Sequence, residues 1–411
     1  MLRYRLLLFV IFPFLLIFLI WYAIRHQQSN FFWQRISCHL NHLPEKSLWI
    51  HCASVGEVVT TLPLIKEIFQ QHPDLKIIVT TATITGAKII RQQSFNNLFH
   101  CYQPFDCQFT INRFLKQLQP RALLVVETEI WPNLFRQCHK KNCPVTIINA
   151  RLSTKTTTAK TWIKSLLKTS LQYANKIYTR SEIDKQAYLE LGAEAKKIQL
   201  IGNLKYSKKP VQPDNKKPFE REFVLLASSH DDEESQIAQC WKRLNRHELL
   251  LIAPRHPQRC PTIIRSLQQQ WPQLTLAIHS QHDKVTDDTH IYLLDTVGEL
   301  MTFFPHAKLV IMGGSFVDIG GHNILEPAQF GRAIICGPYM RNFKDEVDLL
   351  LSKNALLQLN SFDELEKYLP ALFSDNNKIQ TLEKNASEIS EGFEHIVTDY
   401  AHIVNGILKN N

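Results

Sequence analysis

In residues 308–331, KLVIMGGSFVDIGGHNILEPAQFG, a short apolar run stops at Gly313 and Gly314, passes through a polar turn and restarts as a helix near Asn323–Glu326. A run of this length bounded by glycine reads as a strand buried on both faces, and the turn after it as a strand-to-helix junction. Gly313, Gly314, Gly320 and Gly321 are expected to let the backbone approach a ligand there, and the N–H groups and dipole of the following helix to favour a phosphate. Glu326, early in that helix, is placed to accept hydrogen bonds from ribose hydroxyls. No G-x-G-x-x-G follows the first strand of either half, which sets aside a dinucleotide fingerprint.

Outward from this stretch the same alternation repeats. EFVLLAS (222–228), HELLLIAP (247–254), IYLLD (291–295) and RAIICGP (332–338) read as further strands, each followed by a helical segment. In the first half SLWIHCA (47–53), KIIVTTA (76–82), ALLVVET (122–128) and PVTIINA (144–150) are strands, with helices expected near 57–71, 106–118, 132–142 and 158–172. Strand and helix in alternation make a parallel sheet. Between the halves KYSKKPVQPDNKKPFERE (205–222) is polar and rich in lysine and proline, a natural linker. The chain therefore divides into a membrane anchor (1–30), an acceptor-binding Rossmann-like domain (31–204), the linker (205–222) and a nucleotide-sugar-binding Rossmann-like domain (223–411), with the last helix free to pack back on the first domain. Two doubly wound α/β domains facing a cleft describe the GT-B architecture, which transferases share with epimerases and some phosphorylases.

At 411 residues, with 45% apolar and 21% charged side chains, the chain is globular and long enough for two cores. A formal charge of +9 without long basic runs points to anionic lipid or substrates and to no nucleic acid. Nine scattered cysteines, an odd number mostly inside apolar runs, fit reduced thiols in the cytosol. Cys138, His139 and Cys143 lack a second Cys/His pair at finger spacing, so no metal site is expected from them. The first thirty residues differ in kind. Leu6–Ile24 is continuously apolar, about 28 Å long as a helix against a hydrocarbon core of about 30 Å. It lacks a small-x-small cleavage site and runs into Trp21, Tyr22, Phe31, Phe32 and Trp33, an interfacial aromatic cluster, so an anchor is expected rather than a cleaved signal. Pro13 permits a kink. The flanking charges leave the orientation open.

Candidate chemistry collects at strand ends. Glu57 follows Gly56 at the start of a helix after the first strand, the place for a general base, although a helix dipole also attracts Glu there for stability alone. Glu127 and Glu129 in ETEIWPN sit at another strand end and would add acidic groups to the same pocket. Lys205 in GNLKYS, entering the linker, would stabilise charge on a departing phosphate. In the second half Pro254, Arg255 and His256 follow a strand, where a guanidinium matches a phosphate or carboxylate. Val297, Gly298 and Glu299 occupy the next junction, where backbone groups can read a base edge. TAKTWIKSLLKTSL (158–171) spaces Lys160, Lys164 and Lys168 every four residues, which predicts a basic amphipathic helix against anionic lipid.

CASVGEV, ETEIWPN, INARLS, RSEIDKQAYLELGA, GNLKYS, APRHPQR, DTVGELM and MGGSFVDIGGHNILEP occur in order over almost the whole chain. In this series the chain resembles the Kdo transferases, which move 3-deoxy-D-manno-octulosonic acid from CMP-Kdo to a lipid A precursor at the bacterial inner membrane. The resemblance implies an inverting glycosyltransferase acting on lipid IVA from the cytoplasmic side, needing no cofactor and no metal. Glu57 would be the proton acceptor, and Glu127 and Lys205 would stabilise the transition state. CMP would be held by Pro254 and Arg255, by Val297, Gly298 and Glu299, and by Asn323, Ile324, Leu325 and Glu326. Val297 departs from the Met common in that turn, and Ile324 and Pro327 vary around the Asn-to-Glu core, changes that backbone contacts tolerate. The alternatives are a soluble-type nucleotide-sugar epimerase, which would need no anchor, and a non-catalytic membrane-bound nucleotide-sugar binder.

Overall fold

The computed structural model describes residues 2–206 and 217–409, so positions 207–216 of the sequence-predicted linker lie outside the described residues. Two compact units emerge, Met1–Lys208 with Phe393–Asn411, and Lys209–Gly392.

The first unit holds β1 (Leu48–His51), β2 (Ile77–Thr81), β3 (Leu98–Tyr102), β4 (Ala122–Val126), β5 (Val145–Ala150), β6 (Lys176–Thr179) and β7 (Ile198–Leu200). They form one sheet in the order β3-β2-β1-β4-β5-β6-β7, and the pairings are parallel, with Leu48 opposite both Ile77 and Ala122. β1, β2, β4 and β5 are buried along their whole length because both faces are covered, which is why their sequences are mostly apolar rather than alternating, with His51, Thr80, Thr81, Thr146 and Asn149 buried among the apolar residues. Successive residues still point to opposite faces. Trp49, Ile78, Leu123 and Val145 pack on one side, and Leu48, Ile50, Ile77 and Leu124 on the other. The second face is closed by helix Val55–Gln71 and by the last helix, Ile396–Lys409, whose Tyr400, Ala401 and Val404 enter that core. Tyr400 fixes the register of the last helix: its hydroxyl accepts from Asn149 N–H at 3.1 Å and donates to the Gly202 carbonyl at 3.1 Å.

The second unit repeats the plan with β8 (Phe223–Ser229), β9 (Leu249–Pro254), β10 (Leu276–Ile278), β11 (Ile291–Leu293), β12 (Leu309–Met312), β13 (Ile334–Cys336) and β14 (Leu357–Gln358). Its order is β10-β11-β9-β8-β12-β13-β14, again parallel. In each sheet the connections first run outward on one side of the founding strand and then return to its other side. The strand order therefore reverses between β1 and β4, and between β8 and β12. In open parallel sheets, loops diverge above such a reversal and leave a crevice at the carboxyl ends of the strands.

Ahead of the first sheet, helix Leu2–Arg25 runs through Pro13 and is long and apolar enough to cross a membrane. It touches its unit near both ends. The Tyr4 hydroxyl donates to Asp106 Oδ2 at 2.8 Å and Arg5 Nε to Asn133 Oδ1 at 3.3 Å, while Leu19 is buried beside Phe31 and Tyr102. The outer face stays open, with Phe9 79% and Phe14 71% exposed. Single exposed apolar residues are ordinary, but a contiguous face of this size marks contact with a partner or a bilayer.

The basic helix is shorter than its sequence pattern. It spans Thr161–Leu171, with Lys160 in the cap position and a separate turn at Thr154–Thr157. Three consecutive β-branched residues, Thr156, Thr157 and Thr158, hold little helix propensity, which accounts for the break. Leu166 and Leu171 are buried, whereas Lys160, Lys164, Lys168 and Trp162 are exposed.

Candidate active site

In the first unit the reversal between β1 and β4 is lined by three carboxylates. Ser54 caps helix Val55–Gln71 by accepting from Glu57 N–H at 3.3 Å, and the Glu57 carboxylate reaches back to accept from Ala53 N–H at 2.8 Å and from the Ser54 hydroxyl at 3.0 Å. This reciprocal cap holds the carboxylate in place while leaving it 7% exposed. Burial pushes Glu57 up to about 7; the Ala53 N–H opposes that, and the nearby charges of Glu127 and Glu129 add to it. A base whose pKa lies near neutral pH is suited to proton transfer.

Glu127 directly follows β4 with φ of +59°, a left-handed conformation that costs a non-glycine residue about 1 kcal/mol or more. Its amide donates to the Ile148 carbonyl at 3.0 Å, and Asn149 Nδ2 donates to its Oε1 at 3.5 Å. Asn149 also accepts from Leu204 N–H at 3.0 Å through Oδ1, which ties the segment carrying Lys205 to the loop of Glu127. Burial raises the Glu127 pKa, against the pull of Arg180, Arg151 and Lys205. Lys205 lies in the one-turn helix Leu204–Tyr206 and belongs to the first unit, with Leu204 and Tyr206 buried on either side of it. Its cation thus stands on the same unit as the carboxylates. Glu129 accepts from Trp131 Nε1 at 2.7 Å, and burial raises its pKa as well.

In the second unit Pro254 is buried at the end of β9, and Arg255, whose amide donates to the Ser229 carbonyl at 3.0 Å, extends its side chain into solvent with no ion-pair partner among the described residues. Val297 is 85% exposed, Gly298 takes φ of +92°, and Glu299 meets His279 Nε2 at 2.8 Å as well as the Thr296 hydroxyl. Asn323 Nδ2 donates to Glu326 Oε1 at 3.1 Å, and Asn323 Oδ1 accepts from Leu325 N–H at 3.2 Å. Ile324 and Leu325 are buried.

One sequence expectation needs correction here. The helix after the glycine turn is a single turn, Leu325–Ala328, so it carries little macrodipole and anion affinity must come from side chains and individual N–H groups. The glycines are also places where the protein packs closely on itself. A Cβ on Gly313 would meet the backbone of Ser228, one on Gly320 the side chain of Asn342, one on Gly321 that of Met340, and one on Gly314 the rings of His322 and His230.

The family described as 3-deoxy-D-manno-octulosonic-acid transferase (kdotransferase) matches residues 29–208. The 3-deoxy-D-manno-octulosonic acid transferase of Haemophilus influenzae is 32% identical over 358 residues, 84% of this chain and 83% of its own length. This chain belongs to the Kdo transferase family. The Rickettsia felis transferase is likewise 32% identical, over 88% of this chain and 79% of that one. Among solved structures, the UDP-GlcNAc 2-epimerase of Neisseria meningitidis bound to UDP-GlcNAc is 12% identical, covers 89% of this chain and 100% of its own, and superposes with a TM-score of 0.56. That likeness shows the GT-B fold and nothing of the chemistry. As a member of the family the chain is a glycosyltransferase.

The structure adds residues that the motifs did not mark. His51, fully buried in β1, sets Nδ1 3.2 Å from the Thr80 carbonyl and 3.0 Å from the Thr80 hydroxyl, and turns Nε2 the other way. That nitrogen lies 4.0 Å from Glu129 and has no hydrogen-bond partner in the described structure. Burial lowers His51 to about 3, so it is neutral and the contact with Glu129 is no ion pair. Glu233, wholly buried, gathers the N–H groups of His230, Gly314, Ser315 and Phe316 at 2.7–3.2 Å and so ties the end of β8 to the turn after β12. No motif predicts either role, because each depends on strands that meet only in the folded sheet.

Proposed function

We propose that this transferase moves Kdo from CMP-Kdo to a sugar hydroxyl of a lipid A precursor, lipid IVA, with inversion and without metal, on the cytoplasmic side of the bacterial inner membrane. The observation that carries the reading is the placement of Glu57, a restrained, desolvated carboxylate with a pKa near 7, at the sheet reversal of the first unit beside Glu127 and Glu129. In this mechanism Glu57 takes the proton of the acceptor hydroxyl, while Glu127 and Lys205 stabilise the charge that develops in the transition state. Pro254 and Arg255, Val297 to Glu299 and Asn323 to Glu326 hold the nucleotide. The departing group is a phosphate monoester rather than a diphosphate, so fixed cations suffice to neutralise it. Helix Leu2–Arg25, with its open apolar face, attaches the enzyme to the bilayer that carries the acceptor.

The test is direct. Purified full chain, CMP-Kdo and tetraacylated lipid A precursor are incubated with and without EDTA, and the lipid is weighed by mass spectrometry. Addition of Kdo to the lipid, unchanged by EDTA, is expected. Release of free sugar with unmodified lipid would sink the transferase assignment, and loss of activity to EDTA with rescue by Mg²⁺ would sink the metal-free mechanism.

A further inference from the structure

At the sheet reversal of the second unit, β8 leads into His230, and the turn after β12 carries His322. Their imidazoles meet edge to edge, nearly coplanar, with planes 6° apart and centroids 5.1 Å apart, and the two Nε2 atoms are separated by 2.8 Å. Gly314 permits this: a Cβ there would come within 3.1 Å of His322 Cδ2 and 3.3 Å of His230 Cδ2. A nitrogen-to-nitrogen distance of hydrogen-bond length requires one hydrogen between the rings, since none would oppose two lone pairs and two would clash. In the neutral pair one ring therefore bears its hydrogen on Nε2, and the other must bear its own on Nδ1. The pair shows its surroundings one N–H and one bare nitrogen. Uptake of a single proton converts the bare nitrogen into a second donor and makes the pair a cation.

The surroundings keep that proton away while the site is empty of anions. Burial, then the fields of His230, Arg255 and His256, hold His322 down at about 4. His230 is lowered by burial and by His256, Arg259 and Arg255, against Asp231. Of the other charges packed around the pair, Glu233 is engaged by four N–H donors, and Arg259 is paired with Asp231 and with Glu234 at 3.1 Å. Arg255 is left as the outward-facing cation.

We infer that His230 and His322 form, beside Arg255, a phosphate-monoester subsite that takes one proton from solvent when a dianionic phosphate binds. This rests on the reading of the second unit as the CMP site. A phosphodiester donor carries one negative charge on its phosphate. When the bond from the sugar carbon to the phosphate oxygen breaks, both electrons go to that oxygen and the departing monoester becomes a dianion. A pair that becomes cationic only then stabilises the departing state more than the bound donor, which is how binding energy accelerates a step.

Calorimetric titration of the full chain with CMP at pH 7, in two buffers of different ionisation heat, reads the proton balance. The second pKa of a phosphate monoester is about 6, so free CMP is mostly dianion at this pH and its own contribution on meeting cations is a small release. Net uptake of a large fraction of a proton is expected with CMP, and none with cytidine. His322→Gln and His230→Gln should each abolish the uptake and weaken CMP about tenfold or more. Arg255→Ala should weaken binding while uptake persists. Should a histidine variant fail to fold, the imidazole ¹⁵N spectrum of the unsubstituted chain replaces it: CMP must convert a neutral pattern into an imidazolium one. CMP that binds without uptake, or uptake unchanged in both histidine variants, overturns the subsite and leaves the CMP reading standing; absence of CMP binding overturns both.

Discussion

Glu57→Gln separates what this side chain does for the reaction from what it does for the fold. Glutamine keeps an oxygen that can accept from the Ala53 N–H, so the helix cap survives, but it cannot take a proton from an acceptor hydroxyl. Loss of a general base costs about 100- to 10,000-fold in turnover, and that loss is expected with CMP affinity nearly intact. Stability should change the other way. An unfolded glutamate titrates near 4.3, whereas Glu57 in the fold sits at about 7. Between those values the folded chain binds a proton that the unfolded chain has released. Stability is therefore fullest below about pH 4.3, declines as pH rises towards 7, and is flat above. At about 1.4 kcal/mol per pKa unit, holding the ionised carboxylate at pH 8 costs the fold about 4 kcal/mol, which glutamine does not incur. Thermal melts at pH 8 should thus place the inactive variant above the parent by roughly 10 °C, since each kcal/mol moves Tm by about 2–4 °C in units of this size. The gap should close near pH 4.5, and parental kcat should rise through pH 7 to a plateau. Near-normal turnover in the variant would remove Glu57 as the base, and a variant less stable than the parent at pH 8 would refute the desolvation argument itself.

The donor side is tested by Arg255→Ala and Glu326→Ala, which should each weaken CMP binding by about 1 to 3 kcal/mol, through lost phosphate charge and lost ribose hydrogen bonds; calorimetry showing no change in either places the nucleotide elsewhere. The exposed Lys160, Lys164 and Lys168 contribute about 1 kcal/mol each near an anionic surface, so changing all three to Glu should sharply reduce binding to anionic liposomes and raise the apparent KM for lipid acceptor without affecting CMP-Kdo. Equal liposome binding by the parent and the triple variant would make the helix scaffold only.

The strands legible in the sequence are those buried on both faces. β1, β2, β4, β5, β8, β9 and β12 are mostly apolar on both faces, because a central parallel strand has no exposed side to make polar. β7 and β14 lie at sheet edges and carry partly exposed residues such as Gln199 and Gln358, and β10 is three residues long, so their pairing is decided by the neighbouring strand rather than by a local pattern. The glycines at 313, 314, 320 and 321 were visible, but their purpose was not. A glycine signals close approach without saying what approaches, and here it is Ser228, two imidazoles, Asn342 and Met340. The acidic cluster shows the same division. The motifs marked Glu57, Glu127 and Glu129 separately, but two strands, β2 and β3, intervene in sequence between β1 and β4, and nothing local states that β4 returns to lie beside β1. That return brings the carboxylates close enough for Glu127 and Glu129 to act on the proton affinity of Glu57. The second sheet makes the same return at β8 and β12, joining His230 to His322 across 92 positions of sequence. Moving β4 to the outer edge of its sheet, with every residue unchanged, would leave each motif intact and take the neighbours of Glu57 away, so the chemistry belongs to the strand order as much as to the residues.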